Sequence, residues 1–160
     1  MPKLLIRAMA HKVNRLQINL IVTLFACVSC SAFATPCAKM IQPISEEKKA
    51  IFAKAINVHL NQQLGPSLNQ TLFTDGADIL EVIHFKKWYI IYVNTHITDE
   101  IFLVYRSAPN KSYGYLTSWA GSATNDEGSR IENWLKKEAL GIPKKLASCF
   151  AWHITEGRNQ

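Results

Sequence analysis

Between Asn94 and Glu100 the chain reads Asn-Thr-His-Ile-Thr-Asp-Glu, with His96 and Asp99 three residues apart. An imidazole and a carboxylate at that spacing in a loop could reach one metal ion or one water. Metal-assisted hydrolysis and general-base catalysis both need such a pairing. A zinc site, however, needs at least a third protein ligand, and none is close in sequence. Asp75, Asp78, His84 or His153 would have to be supplied by the fold. Asn, Asp and Thr also belong in turns, because their side chains satisfy turn backbone groups. The missing ligand decides for the turn, so no metal or cofactor is expected. His96 and Asp99 remain the catalytic candidates of an alternative, enzymatic reading.

Other chemistry-bearing patterns are absent. The chain has no Gly-x-Ser-x-Gly elbow, no phosphate-binding Walker loop, no His-Glu-x-x-His and no dinucleotide glycine fingerprint. Gly121-Ser122-Ala123-Thr124 precedes a helical pattern and could present N–H groups to an anion, but a turn and a helix cap explain each of its residues. The aromatic residues carry a different signal. Tyr113 and Tyr115 flank Gly114 at alternate positions of an expected edge strand, which places both rings on one face. Tyrosine is enriched among the energetically dominant residues of protein interfaces, so Tyr113 and Tyr115 are the candidate binding residues.

Those residues must be held by a scaffold, and the pattern of apolar residues outlines one. Ser45 is a suitable N-cap, followed by Glu46 and Glu47 at the positive end of a helix dipole. Phe52, Ile56, Leu60 and Leu64 then form a single stripe before Gly65-Pro66. The stretch from Pro66 to Asp78, with Gly76, polar residues and the short apolar insert Leu72-Phe73, reads as a loop packed over the core. Four β-rich runs follow, 79–85, 88–95, 101–106 and 113–119, joined by connections short enough to make antiparallel hairpins. The run from Trp88 to Val93 contains no charged residue, as expected of a strand covered on both faces. Thr124 with Glu127 forms a capping box for a second helix, which buries Ile131, Trp134, Leu135 and Ala139 and ends at Gly141-Ile142-Pro143. From Ser148 to Thr155 apolar residues alternate, which predicts a last strand, with a short helix as the alternative. The expected fold class is α+β: an antiparallel meander of four strands plus a C-terminal strand, packed against two helices, in the order α-β-β-β-β-α-β.

Residues 1–34 lie outside this scaffold. Lys3, Arg7, Lys12 and Arg15 precede an apolar run from Ile18 to Ala34 that closes on Ala32-Phe33-Ala34, the pattern of a cleaved signal peptide. A second processing route would lipidate Cys27 in Leu24-Phe25-Ala26-Cys27 and leave a lipid anchor. Cleavage after Ala34 leaves residues 35–160 as a single domain. It also removes four of the 18 Lys and Arg residues and none of the 12 Asp and Glu residues, so the net charge falls from +6 to +2. The remaining lysine pairs do not form the clustered basic face that nucleic-acid binding needs. Only Cys37 and Cys149 remain after cleavage. In an oxidising compartment they are expected to pair, tying the start of the mature chain to its end.

A small exported, disulfide-tied α+β domain resembles, in architecture alone, periplasmic inhibitors and immunity proteins that block an enzyme's cleft. The resemblance implies a periplasmic or secreted non-enzymatic domain whose partner is another protein, with no nucleic acid and no membrane once the signal is removed. The alternatives are a small hydrolase or metal-dependent enzyme centred on His96 and Asp99, and a carrier that holds a small ligand in an apolar cleft.

Overall fold

The computed structural model describes residues 35–37, 39–97, 99–111 and 114–159, all within one compact unit, Ala34–Gln160. The expected signal segment with Cys27, and Tyr113, lie outside the described residues. The elements run α1 (Glu46–Gln63), α2 (Gly65–Leu68), β1 (Ile79–Phe85), β2 (Trp88–Val93), β3 (Ile101–Tyr105), β4 (Tyr115–Ala120), α3 (Gly128–Glu138) and α4 (Lys144–Thr155). Short 3₁₀ turns precede α3, at Asn125–Glu127, and follow α4, at Gly157–Asn159. The class is α+β, with the four strands in one antiparallel sheet of order β1-β2-β3-β4. Among the described residues no helix is long and apolar enough to cross a membrane.

The sheet is the middle of three layers. Alternation along the strands sends Ile83, Trp88, Ile90, Phe102 and Val104 into a core with α3 and α4. Val82, Ile91, Val93, Leu103 and Tyr105 point the other way, into a core with Phe52, Ala53, Ile56 and Leu60 of α1. Cover on both sides is why β3 is buried at every position and β2 carries an unbroken apolar run. The Ser45 hydroxyl caps α1 by accepting from the Lys48 N–H at 3.3 Å. Glu127 reaches back to the Thr124 N–H at 2.7 Å to start the second helical segment, whose first turn is the 3₁₀ turn. Gly141, at φ +84°, ends that segment in a conformation costly for residues with a Cβ.

The C-terminal segment differs from the sequence expectation: residues 144–155 are helix α4, not a strand. Pro143 closes off α3 and also opens α4, since its carbonyl accepts from the N–H groups of Leu146 at 2.9 Å and Ala147 at 3.1 Å. Leu146, Ala147, Phe150, Ala151 and Ile154 are all buried, as are Cys149 and His153. A helix buried around most of its circumference lacks the polar face that reveals a 3.6-residue period. Its alternation of aromatic and small residues therefore imitated a strand.

The N-terminal segment is fastened to the same layer. Cys37 and Cys149 form a disulfide, with their Cα atoms 4.7 Å apart. Beyond it, Ile41 bridges Ile83, and the Met40 carbonyl accepts from the His84 N–H at 2.8 Å, so this segment lies along the outer edge of β1. That edge is further interrupted by an irregularity between Ile79 and Glu81. On the far side of the sheet, β4 pairs with β3 alone among the described residues and carries no charged side chain.

Candidate functional site

Register places Ile79, Val93, Ile101 and Ala120 at one end of the sheet, so the loops leaving that end bring remote polar residues together. The turn after β2 is built by Asn94, whose Oδ1 accepts from the His96 N–H at 2.9 Å and holds His96 at φ +59°. The exposed imidazole points back to the loop before β1, where its Nε2 lies 2.5 Å from Asp78 Oδ1. Asp78 is buried, and its second oxygen accepts from the Asp75 N–H at 2.8 Å, while the Asp78 carbonyl accepts from the Asn94 N–H at 3.0 Å. The fold thus supplies His96 with the carboxylate of Asp78, 18 residues away in sequence. A carboxylate on one imidazole nitrogen fixes the orientation of the ring. Here it also joins two loops. Among the described residues no three His, Cys, Asp or Glu side chains are grouped so as to hold a metal ion.

Asp99 lines a neighbouring cleft of about 440 Å³, together with Tyr92, Glu100, Ser122 and Arg158; His96 and Asp78 do not line it. The Arg158 guanidinium donates to the Tyr92 hydroxyl at 2.5 Å and lies 4.6 Å from the centre of its ring. Tyr92 stacks on Phe102 at 4.3 Å and also hydrogen-bonds Glu100. Burial raises the pKa of the Tyr92 hydroxyl, and Arg158 opposes the shift. Behind the cleft, Glu81 Oε1 and His153 Nε2 are 3.1 Å apart, but the oxygen is buried without an aligned hydrogen-bond donor. Burial pushes the Glu81 pKa up against the pull of Arg158. It pushes the His153 pKa down, and Arg158 adds to that shift. Both shifts favour the neutral forms.

The third feature lies on the α1 side. Asn57 and Asn61 stand one turn apart on α1, and each grips one residue of the loop before β1. Asn61 Oδ1 accepts from the Leu72 N–H at 2.7 Å, and its Nδ2 donates to the Leu72 carbonyl at 2.7 Å. Asn57 treats Thr74 in the same way, at 2.7 Å for both bonds, and also accepts from the Thr74 hydroxyl at 2.8 Å. The two carboxamides serve this loop as a neighbouring strand would. Leu72 turns inward at 2 % exposure, and Phe73 stands between the two clamped residues with 72 % of its surface exposed. The expected loop packs onto the core through Leu72 and Thr74, while Phe73 faces outward. The available signal was two asparagines four apart inside a helix, where that residue is disfavoured unless its side chain is used.

Of the candidate binding tyrosines, Tyr115 is described. It is half-buried, with its ring edge-on to Tyr105 at 5.7 Å and 6.5 Å from His59. His59 lies 3.3 Å from the Tyr105 hydroxyl, and burial lowers its pKa. With this geometry in hand, comparison with known proteins assigns the chain to no family: no family model, no curated protein and no solved structure matches it.

Proposed function

We propose that this chain is an exported protein-binding domain of the inhibitor or immunity kind, acting in the periplasm or outside the cell, which seats Phe73 in a pocket of its partner. The observation that carries this reading is the exposed phenyl ring on a backbone already fixed by Asn57 and Asn61. An exposed aromatic side chain leaves apolar surface in water, and a pre-ordered loop loses little entropy on docking. Ile51 and Val58 add exposed apolar surface on α1. They are 43 % and 52 % exposed and lie seven residues apart, hence on one stripe of α1. The disulfide and the signal-like leader agree with export.

The test is capture of partners from periplasmic extract by the purified protein and by Phe73→Ala, with identification by mass spectrometry. The expected result is a specific partner, lost or weakened at least tenfold in the variant, as for an aromatic hot spot worth about 2 kcal/mol or more. Unfolding stability should stay within about 0.5 kcal/mol of the parent, because an exposed side chain contributes little to it. Equal capture by both proteins would overturn the role of Phe73. A second reading draws on the Asp78–His96 contact: a hydrolase with His96 as general base oriented by Asp78. Hydrolytic activity abolished by His96→Ala would favour it.

A further inference from the structure

The cations of this domain are unevenly used. Lys49 pairs with Glu46, Arg130 with Glu127 and Lys136 with Glu132, while Arg158 is held by Tyr92. Lys48 and Lys87 pair with no carboxylate among the described residues. Both line a groove of about 450 Å³, which Lys111 also lines and no Asp or Glu does. Three elements meet there: the first turns of α1, the tight turn between β1 and β2, and the loop after β3. The groove is not simply a polar dent, because Ile51, Phe52 and Tyr89 also line it. The ammonium of Lys48 lies 5.5 Å from the Phe52 ring centre and 5.8 Å from that of Tyr89, where the two aromatic faces hold it over the apolar surface.

A ligand suited to this surface must carry negative charge for the lysines and aliphatic or aromatic groups for the rings and Ile51. Sugar phosphates provide only the first, and nucleic acids add aromatic bases for the rings but no aliphatic group for Ile51. We propose that the groove receives an acidic, partly apolar peptide segment, with carboxylates set against Lys48, Lys87 and Lys111 and apolar side chains laid on Tyr89 and Ile51. The inference rests on the protein-binding reading above and gives the partner a chemical character: an acidic segment in addition to the pocket that takes Phe73.

The probe is a fluorescein-labelled peptide of alternating glutamate and leucine, titrated with the purified protein and followed by fluorescence anisotropy. Saturable binding is expected at about 0.02 M salt, weakening at about 0.15 M, where charges are screened over about 8 Å. Lys48→Glu combined with Lys87→Glu should weaken it by about tenfold or more through like-charge repulsion, and the neutral Lys48→Gln with Lys87→Gln by less. Both doubly substituted proteins should keep the parent's far-ultraviolet circular dichroism. Phe73→Ala should leave peptide binding unchanged, which separates failure of the groove from failure of the Phe73 reading. The groove proposal is overturned if the peptide does not saturate. It is equally overturned if both double variants bind like the parent, or if a glutamate–serine peptide or oligothymidine binds as tightly as the glutamate–leucine peptide.

Discussion

The two faces of the sheet are covered in different ways. On one side α3 and α4 pack tightly, the disulfide fastens the segment around Cys37 to α4, and the polar groups there, Glu81 and His153, are shifted toward their neutral forms. On the other side α1 lies over the sheet without a covalent tie. Its outer surface and attached loop carry Phe73, Ile51 and Val58, and Lys48 stands on its first turns. Both faces bury comparable sets of large apolar side chains, so the core does not distinguish them. The difference lies in what faces water. One layer is locked and supports the sheet, and the other presents side chains held in place by hydrogen bonds from below.

Removing the lock should have the largest effect. Replacing Cys37 and Cys149 by serine opens a loop spanning 112 residues and should cost about 4 to 5 kcal/mol in urea unfolding on the chain-entropy account. A loss below about 1 kcal/mol would show that the two faces are held alike. Asn57→Ala and Asn61→Ala probe the presenting side. The first removes three hydrogen bonds to Thr74 and the second two to Leu72, and each leaves part-buried backbone groups of the loop unpartnered, at an expected cost of about 1 to 3 kcal/mol. Faster amide exchange should appear at Leu72 and Thr74, with the α4 amides unaffected. If protection were lost across both faces, the clamp would belong to the global fold and not to the display. His96→Ala should be the mildest change, at most about 1 kcal/mol, because the ring is exposed and only its contact with Asp78 is lost. A larger loss would mark that contact as a main support of the Phe73 loop, whose far end it fastens.

These contrasts were only partly legible beforehand. The sheet could be read because β2 and β3 combine β-branched and aromatic residues with connections too short for anything but hairpins. The capping residues Ser45, Thr124 and Glu127 and the stop at Gly141 act within a few residues of themselves, so a linear reading found them. Helix α4 was misread because burial on nearly every side erased its period. The Asp78–His96 contact, the asparagine clamp and the lysine groove escaped for one shared reason. Each joins residues that only the folded chain brings together, and residue type at one position does not say which distant loop will arrive opposite it. Cys37 and Cys149 are the exception among long-range pairs, since on the expectation of a cleaved leader each was the other's only available thiol.

The two borders of the sheet carry a further consequence. An open strand edge is a template on which another chain can build. At β1 that template is already occupied by the protein's own residues 40 and 41 and disturbed beside Leu80. At β4 no charge interrupts the edge. Among the described residues the sheet is open at this one border, so two copies that join β4 to β4 consume both open borders and leave none behind. Association through the sheet therefore ends at a single joining event, which separates a discrete complex from a fibre.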